Sequence, residues 1–165
     1  MTTSCFHIFR SALCIASSEG QVGVMELLIS KKADLEWRNS GASGDGITPL
    51  GWAILGGKVA AVDLLLKSGA SLDARDKAQR TAFHQAALVG NVGTLDVLLS
   101  HSLAQAPVQD VGANSRIEAT DKDGIRPIDR AIGHGHEAFV ARMLKKGAKL
   151  GPTTWTLVKG KPKIS

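Results

Sequence analysis

A pattern of glycines and apolar residues recurs along this chain with a period close to 33 residues. A glycine follows nine positions after Ser11, Thr48, Thr81 and Arg126, and a Gly-Ala or Lys-Ala pair begins 21 positions after three of these four residues. Each unit also carries a largely apolar triplet 16 to 18 positions after its start. Because these anchors recur in one register, the sequence predicts four copies of a single structural unit, which become stable by stacking.

The second unit indicates what each copy forms. Thr48 is a typical helix N-cap residue, and Pro49 suits the first helical position, where a missing N–H costs nothing. Gly57 favours the end of this helix, because glycine tolerates the left-handed conformation. The apolar run at 64–66 indicates a second helix that ends at Gly69, followed by an extended segment. Helices this short are unstable alone, so we expect neighbouring units to bury each other's faces.

This spacing resembles the ankyrin repeat, and the four units cover most of residues 11–150. The resemblance implies an all-α ankyrin-repeat solenoid of about four helix-turn-helix repeats with extended finger loops. The predicted organisation is an N-terminal extension or remnant of an upstream repeat at 1–10, repeats at about 11–43, 44–76, 77–120 and 121–150, and a C-terminal capping segment with a basic tail at 151–165.

The third unit is longer than the others, since Arg126 follows Thr81 by 45 residues. The surplus falls in residues 103–114, which contain Pro107 and Gly112. A surface insertion is the favoured interpretation, and a functional binding loop is the alternative.

The two ends of the array pose different questions. Arg142 replaces an apolar residue of the triplet, which favours a last repeat with a polar outer face. The first repeat has no polar substitution of this kind. Phe6, Ile8 and Phe9 are candidates to cover its open face, and the alternative is that the chain is a piece of a longer array.

No pattern of catalytic residues emerges. His84 occupies a position that ankyrin repeats use for a local hydrogen bond to the cap threonine, so its role is expected to be structural. Cys14 is expected to pack as a small apolar residue rather than to act as a thiolate. Neither Cys5 with His7 nor His134 with His136 completes the four ligands of a closed zinc site. We therefore expect no enzyme activity, no metal and no cofactor, and no small-molecule substrate.

The net charge of +5 is a property of the tail. Residues 141–165 hold seven of the 20 basic residues and no acid, whereas the first 140 residues hold 13 basic and 15 acidic residues. A nucleic-acid-binding domain spreads its basic residues over a folded face, so nucleic acid is a disfavoured partner. Two cysteines do not form a disulfide framework, which favours a reducing, cytoplasmic location.

Ankyrin repeats generally bind proteins through the finger tips and the first helices on the concave face. The resemblance therefore implies a non-catalytic protein–protein interaction module or scaffold; the alternative is a binder of nucleic acid or anionic membrane through the basic tail. Leu55, Leu88 and Val89 share the implied concave surface. Transferred by position, the partner-binding candidates are Arg38, Trp52, Lys77, Arg80, Gln85, Lys122, Arg130 and His134.

The ring of Trp52 has two interpretations that the sequence leaves open. It is either partly buried between repeats or an interface anchor, since tryptophan is enriched in binding hot spots. The basic finger residues favour an acidic partner, although acids such as Asp76 and Asp121 alternate with them.

A narrower resemblance lies at the end of the last repeat. The segment 145–155, followed by Lys161-Pro162, is similar to the junction between the ankyrin and TPR regions of the TANC and rolling pebbles scaffold family. This resemblance implies a fragment or short isoform of such a scaffold, with membrane-associated or cytoskeletal scaffold proteins as partners and a location at cell junctions or synapses.

Overall fold

The computed structural model describes residues 12–38, 45–104 and 116–151. In these ranges the helices come in pairs whose members are joined by two or three residues, which makes them antiparallel neighbours. The first helix, α1, covers 12–19. The others are α2 (Val22–Ser30), α3 (Pro49–Leu55), α4 (Val59–Lys67), α5 (Ala82–Val89), α6 (Val92–Ala104), α7 (Pro127–His134) and α8 (Glu137–Lys145).

The pairs α1–α2, α3–α4, α5–α6 and α7–α8 are repeats 1 to 4, which stack in chain order, and no strand occurs within the described residues. Three fingers link them: the first (34–38 with 45–47), the second (71–80) and the third (118–125). The structure is therefore an all-α solenoid, as the sequence predicts. None of its described helices is long and apolar enough to cross a lipid bilayer.

Helix boundaries follow the local sequence signals. The Thr48 hydroxyl accepts a hydrogen bond from the Gly51 amide at 3.3 Å, and Pro49 occupies the first helical position. Gly90 ends α5 in the left-handed conformation with φ of 74°. Lys32 adopts the same conformation (φ 63°) at the position that repeats 2 and 4 fill with glycine.

The core repeats with the sequence. The residue two positions after each unit's start is at most 2 % exposed in every repeat: Leu13, Leu50, Phe83 and Ile128. The middle residue of each apolar triplet is also buried: Leu28, Leu65, Leu98 and Met143. These positions form one continuous apolar layer along the stack, which confirms the predicted helix faces.

Successive repeats are also connected through the turns between paired helices. The Asn91 side-chain amide donates to the Gly57 carbonyl at 3.3 Å, and the His136 ring nitrogen Nε2 lies 3.1 Å from the Leu88 carbonyl. The residue after each turn glycine therefore contacts the turn of the preceding repeat, which fixes the spacing between repeats.

One expectation about the end of the stack is wrong. Arg142 does not give repeat 4 a polar outer face, because its guanidinium lies 2.9 Å from the Asp96 carboxylate of repeat 3. The first position of the triplet points toward the preceding repeat, and helical spacing alone does not reveal that direction.

Three other expectations concern residues that lie largely outside the described ranges. Helix α6 continues to Ala104, so the first two residues assigned to the insertion are helical, and its remainder falls outside the description. Phe6, Ile8 and Phe9 and the tail beyond Gly151 also lie outside it. The proposed repeat boundaries and tail remain predictions.

Candidate functional site

The fingers hold their shape through aspartates near their tips. In the second finger, Asp76 Oδ1 accepts hydrogen bonds from the Ala78 and Arg80 amides, both at 2.9 Å. In the third finger, Asp121 Oδ1 accepts from the Asp123 and Ile125 amides at 2.9 and 3.0 Å. An aspartate that accepts hydrogen bonds from neighbouring backbone amides is a strong local turn signal, so the second and third fingers have a defined shape without a partner.

Two candidate arginines brace these aspartates. Arg80 Nε donates to Asp76 Oδ2 at 2.7 Å, and Arg130 Nε donates to Asp121 Oδ2 at 2.9 Å. Their side chains are only 23 % and 20 % exposed. Both arginines therefore stabilise finger geometry and present only part of their surface to a partner.

The pKa of the Asp121 carboxyl group is lowered by these hydrogen bonds. Burial opposes its ionisation, but hydrogen bonds from Arg130 and from the Ile125 and Asp123 amides outweigh that effect and lower its pKa below the ordinary value. The carboxylate stays charged at neutral pH, which keeps the ion pair with Arg130 intact.

Arginines also connect one finger to the next. Arg38 Nη1 donates to the Arg75 carbonyl at 2.6 Å, and Arg75 Nη1 donates to the Thr120 carbonyl at 3.0 Å. Main-chain bonds run in parallel, from the Lys77 amide to the Asp45 carbonyl and from the Lys122 amide to the Ala78 carbonyl. The fingers thus form one connected edge. Sequence spacing predicted basic residues here but did not reveal that Arg75 is a link between fingers.

Two candidates on the first helices are more enclosed than the resemblance implied. Gln85 is only 5 % exposed, and a Cβ placed on Gly51 would lie 2.7 Å from its Oε1 atom. The glycine in repeat 2 therefore leaves the space that Gln85 of repeat 3 fills. Trp52 is half-buried, so its side chain is neither fully enclosed nor fully exposed.

The exposed candidates are Arg38, Lys77, Lys122 and His134. The two lysines lie on successive fingers, and the His134 ring stacks on His136 with 5.9 Å between centroids. Leu55, Leu88 and Val89 are half-buried at the ends of α3 and α5. The candidate surface therefore combines basic finger residues with partly exposed apolar ones. We refer to Lys77, Lys122, Trp52, Leu55, Leu88, Val89 and His134 as the concave surface.

His84 has the structural role that its position predicts. Its Nδ1 atom accepts a hydrogen bond from the Thr81 amide at 3.2 Å, so the ring proton is on Nε2, which donates to the Ile125 carbonyl at 2.9 Å. Burial lowers the pKa of His84 despite the opposing bond to Ile125. The neutral ring therefore ties α5 to the third finger.

Cys14 and Arg126 are both largely buried within the repeats. The Cys14 side chain is 7 % exposed, and burial raises the pKa of its thiol to about 12, so it packs as a small apolar residue. Arg126 stands where the other repeats have a hydroxyl cap, and it donates to both Asp129 (2.8 Å) and Glu118 (2.9 Å). The sequence signal for this network is the i, i+3 spacing of Arg126 and Asp129.

A cavity of about 110 Å³ opens beside the second finger, between Leu72, Phe83 and Arg116. Pockets for drug-sized ligands occupy roughly 300–1,000 Å³, so this cavity is too small to hold one.

The model of the family described as ankyrin repeats (three copies) matches residues 13–110. The chain belongs to the ankyrin-repeat family. The helix pairs, the fingers and the His84 hydrogen bonds agree with that assignment, and members of this family are typically non-catalytic.

Curated relatives match parts of the chain. The chain is 32 % identical over 104 residues to "Transient receptor potential cation channel subfamily A member 1" of Homo sapiens, a match that covers 63 % of the chain and 8 % of the channel protein. It is 31 % identical over 124 residues to "Putative ankyrin repeat protein FPV031" of Fowlpox virus, covering 74 % of the chain and 32 % of that protein. It is also 44 % identical over 55 residues to "Inversin" of Danio rerio, covering 33 % of the chain and 5 % of that protein. The chain therefore spans a third or less of these relatives.

Proposed function

We propose that this chain is a protein–protein interaction module that binds its partner on the concave surface of repeats 2 to 4. Ankyrin repeats are generally modules of this kind. The observation that carries the proposal is the main-chain bonding of finger to finger, which sets Lys77 and Lys122 at fixed positions. A surface ordered before binding loses less conformational freedom on association.

The partner chemistry follows from what this surface exposes. The half-buried Leu55, Leu88 and Val89 suit apolar side chains of a partner, and the exposed Lys77 and Lys122 suit acidic residues that flank them. Arg38, Arg80 and Arg130 support the surface, and their exposed edges add to its positive charge. Trp52 is the candidate anchor, because a partly exposed tryptophan gains much by losing contact with water.

A photo-crosslinking amino acid placed at Lys122 tests this proposal. We expect it to capture a protein partner from cell extract, and the same group placed at Lys145, an exposed lysine of α8, serves as the matched control. Trp52→Ala with Lys77→Glu should abolish capture while the thermal transition stays within a few degrees. Equal capture from positions 122 and 145 would argue against a binding site on the concave surface.

The alternative function is binding of an anion through the basic tail. The observation that favours it is the absence of acidic residues from 141–165, which hold seven of the 20 basic residues. Deletion of 159–165 removes three lysines without touching the repeats. Loss of binding on this deletion, together with a steep fall of affinity with salt, would support nucleic acid or an anionic membrane as the ligand.

The class of partner is a further part of the proposal. The similarity of residues 145–162 to the TANC and rolling pebbles scaffolds supports membrane-associated or cytoskeletal scaffold proteins in the cytoplasm. Identification of the crosslinked protein by mass spectrometry tests this directly, since a partner of another class would contradict it.

A further inference from the structure

One residue of the second finger holds a backbone conformation for which the other two fingers use glycine. Gln79 has a φ of 59°, in the left-handed region. The same place in the first and third fingers, two residues before the N-cap of the following helix, is filled by Gly46 and Gly124, with φ of 70° and 73°. A residue with a Cβ atom is disfavoured in this region, whereas glycine is not. Gln79 therefore carries a conformational cost that its counterparts avoid.

The hydrogen bonds that Gln79 makes within the protein involve only its main chain. Its amide donates to the Asp76 carbonyl at 2.9 Å, and its carbonyl accepts from Arg75 Nη1 at 2.9 Å. A glycine could make both bonds. The Gln79 side chain is exposed, and it forms no hydrogen bond with any residue that the structure describes. Because the fold itself gives no reason for a side chain here, the strained conformation points to a ligand outside the chain.

Gln79 lies among the finger residues of the candidate surface. Lys77 is two residues earlier in the same finger, and Lys122 is on the third finger; both are exposed. The Lys122 amide donates to the Ala78 carbonyl at 3.1 Å, which fixes the main chain next to Gln79 to the third finger. A Cβ atom on Gly124 would have no neighbour within 4 Å, so the third finger is open at the equivalent place. A carboxamide is therefore presented at a defined position on an edge that also carries two lysines.

The chemistry of a carboxamide indicates what it binds. It donates and accepts hydrogen bonds in one plane, and the N–H and C=O groups of a peptide main chain are complementary to it. A helix uses these groups for its own hydrogen bonds, whereas an extended segment leaves them available. We propose that the Gln79 carboxamide hydrogen-bonds the main chain of an extended, acidic segment of the partner, an inference that rests on the function proposed above. Acidic side chains of that segment face Lys77 and Lys122.

Peptides selected on the full wild-type chain from a phage-displayed random library provide the probe. The peptide used is one whose binding is lost with Trp52→Ala combined with Lys77→Glu, since this loss places it on the concave surface. Its affinity for each variant is then measured by fluorescence anisotropy. If no selected peptide is sensitive to the double variant, the concave surface is not a peptide-binding site, and the proposed function and this inference fall together.

Gln79→Gly should weaken binding of this peptide by about tenfold, the effect of two lost hydrogen bonds, while the thermal midpoint does not fall. Gln79→Met should weaken it to the same extent, because methionine keeps an unbranched side chain of similar length but has no carboxamide. Lys32→Gly is the matched control. Lys32 is also exposed, with a φ of 63°, but it lies in repeat 1, outside the concave surface, so its replacement should leave the affinity unchanged.

Methylation of each peptide amide in turn locates the contact. One methylation should weaken binding to the wild type and have no further effect on binding to the Gln79→Gly protein, because both changes remove the same hydrogen bond. Equal affinities of the wild type and Gln79→Gly for the peptide, retained affinity in Gln79→Met, or methylation effects that are the same in both proteins would overturn the inference. The proposed function would stand in each of these cases, since loss of binding in the Trp52 and Lys77 double variant is measured separately.

Discussion

Truncation of Leu65 gives the most direct test of how the stack is held together. Leu65 is the middle residue of the apolar triplet in α4 and is 0 % exposed. Leu65→Ala removes buried methyl groups and leaves a cavity between repeats, which costs about 2–5 kcal/mol of unfolding free energy. Because repeats are stabilised by their neighbours, a defect in repeat 2 weakens the contacts on both sides.

The matched control is Lys67→Ala, two residues further along the same helix. The Lys67 side chain is 66 % exposed, and its ion pair with Asp63 (2.6 Å) joins residues four positions apart on the surface. Exposed pairs of this kind contribute only about 0.3–0.5 kcal/mol. The structure therefore predicts a difference of at least about 2 kcal/mol between two substitutions to alanine in one helix.

Urea unfolding followed by far-UV circular dichroism measures this difference. With a slope of about 1–3 kcal/mol per molar urea, Leu65→Ala should lower the midpoint by about 0.7–5 M, and Lys67→Ala by less than about 0.5 M. Similar midpoints for the two variants would refute the assignment of the α4 faces and, with it, the stacking register.

Three further outcomes are expected. Burial lowers the pKa of His84 in the folded state, so the unfolded chain binds more protons below about pH 6.5. The unfolding free energy, measured in urea, should therefore fall as pH drops from about 6.5 toward the folded pKa, by up to about 1.4 kcal/mol per pH unit. His84→Gln should remove this part of the pH dependence. Arg130→Ala leaves the Asp121 carboxylate without its ionic partner and should cost about 1–3 kcal/mol at pH 7, whereas Lys67→Ala, which removes the exposed pair with Asp63, should cost less than about 1 kcal/mol. Since the Asp121 pKa is lowered, the Arg130 contribution should be present above about pH 4 and vanish as pH falls through the folded pKa. Limited proteolysis should cut first within 103–114, and first cleavage within 48–100 would contradict the repeat register.

Several features of this protein were determined by the sequence alone, because they depend on local chemistry. A threonine before a proline starts α3, a glycine ends α5, and apolar residues at helical spacing mark the buried side of each helix. These signals act over fewer than ten residues, so their spacing predicts helix pairs, and recurrence of the pairs predicts the stack. The role of His84 was implied by the resemblance to ankyrin repeats, and its partner Thr81 is only three residues away.

The candidate surface needed the tertiary structure, because its properties come from contacts between repeats. The ankyrin resemblance implied that Gln85 and Arg130 are surface positions, but Gln85 is buried next to Gly51 of the preceding repeat, and Asp121 of the adjacent finger holds Arg130.

The direction of Arg142 was predicted wrongly for the same physical reason. Helical periodicity tells which residues share a face, but it does not tell whether that face meets the preceding or the following repeat. That choice is made by packing between residues 33 to 46 positions apart, such as Asp96 and Arg142. Whether an exposed arginine binds a partner, braces a finger or joins two repeats was therefore decided only when the repeats stacked.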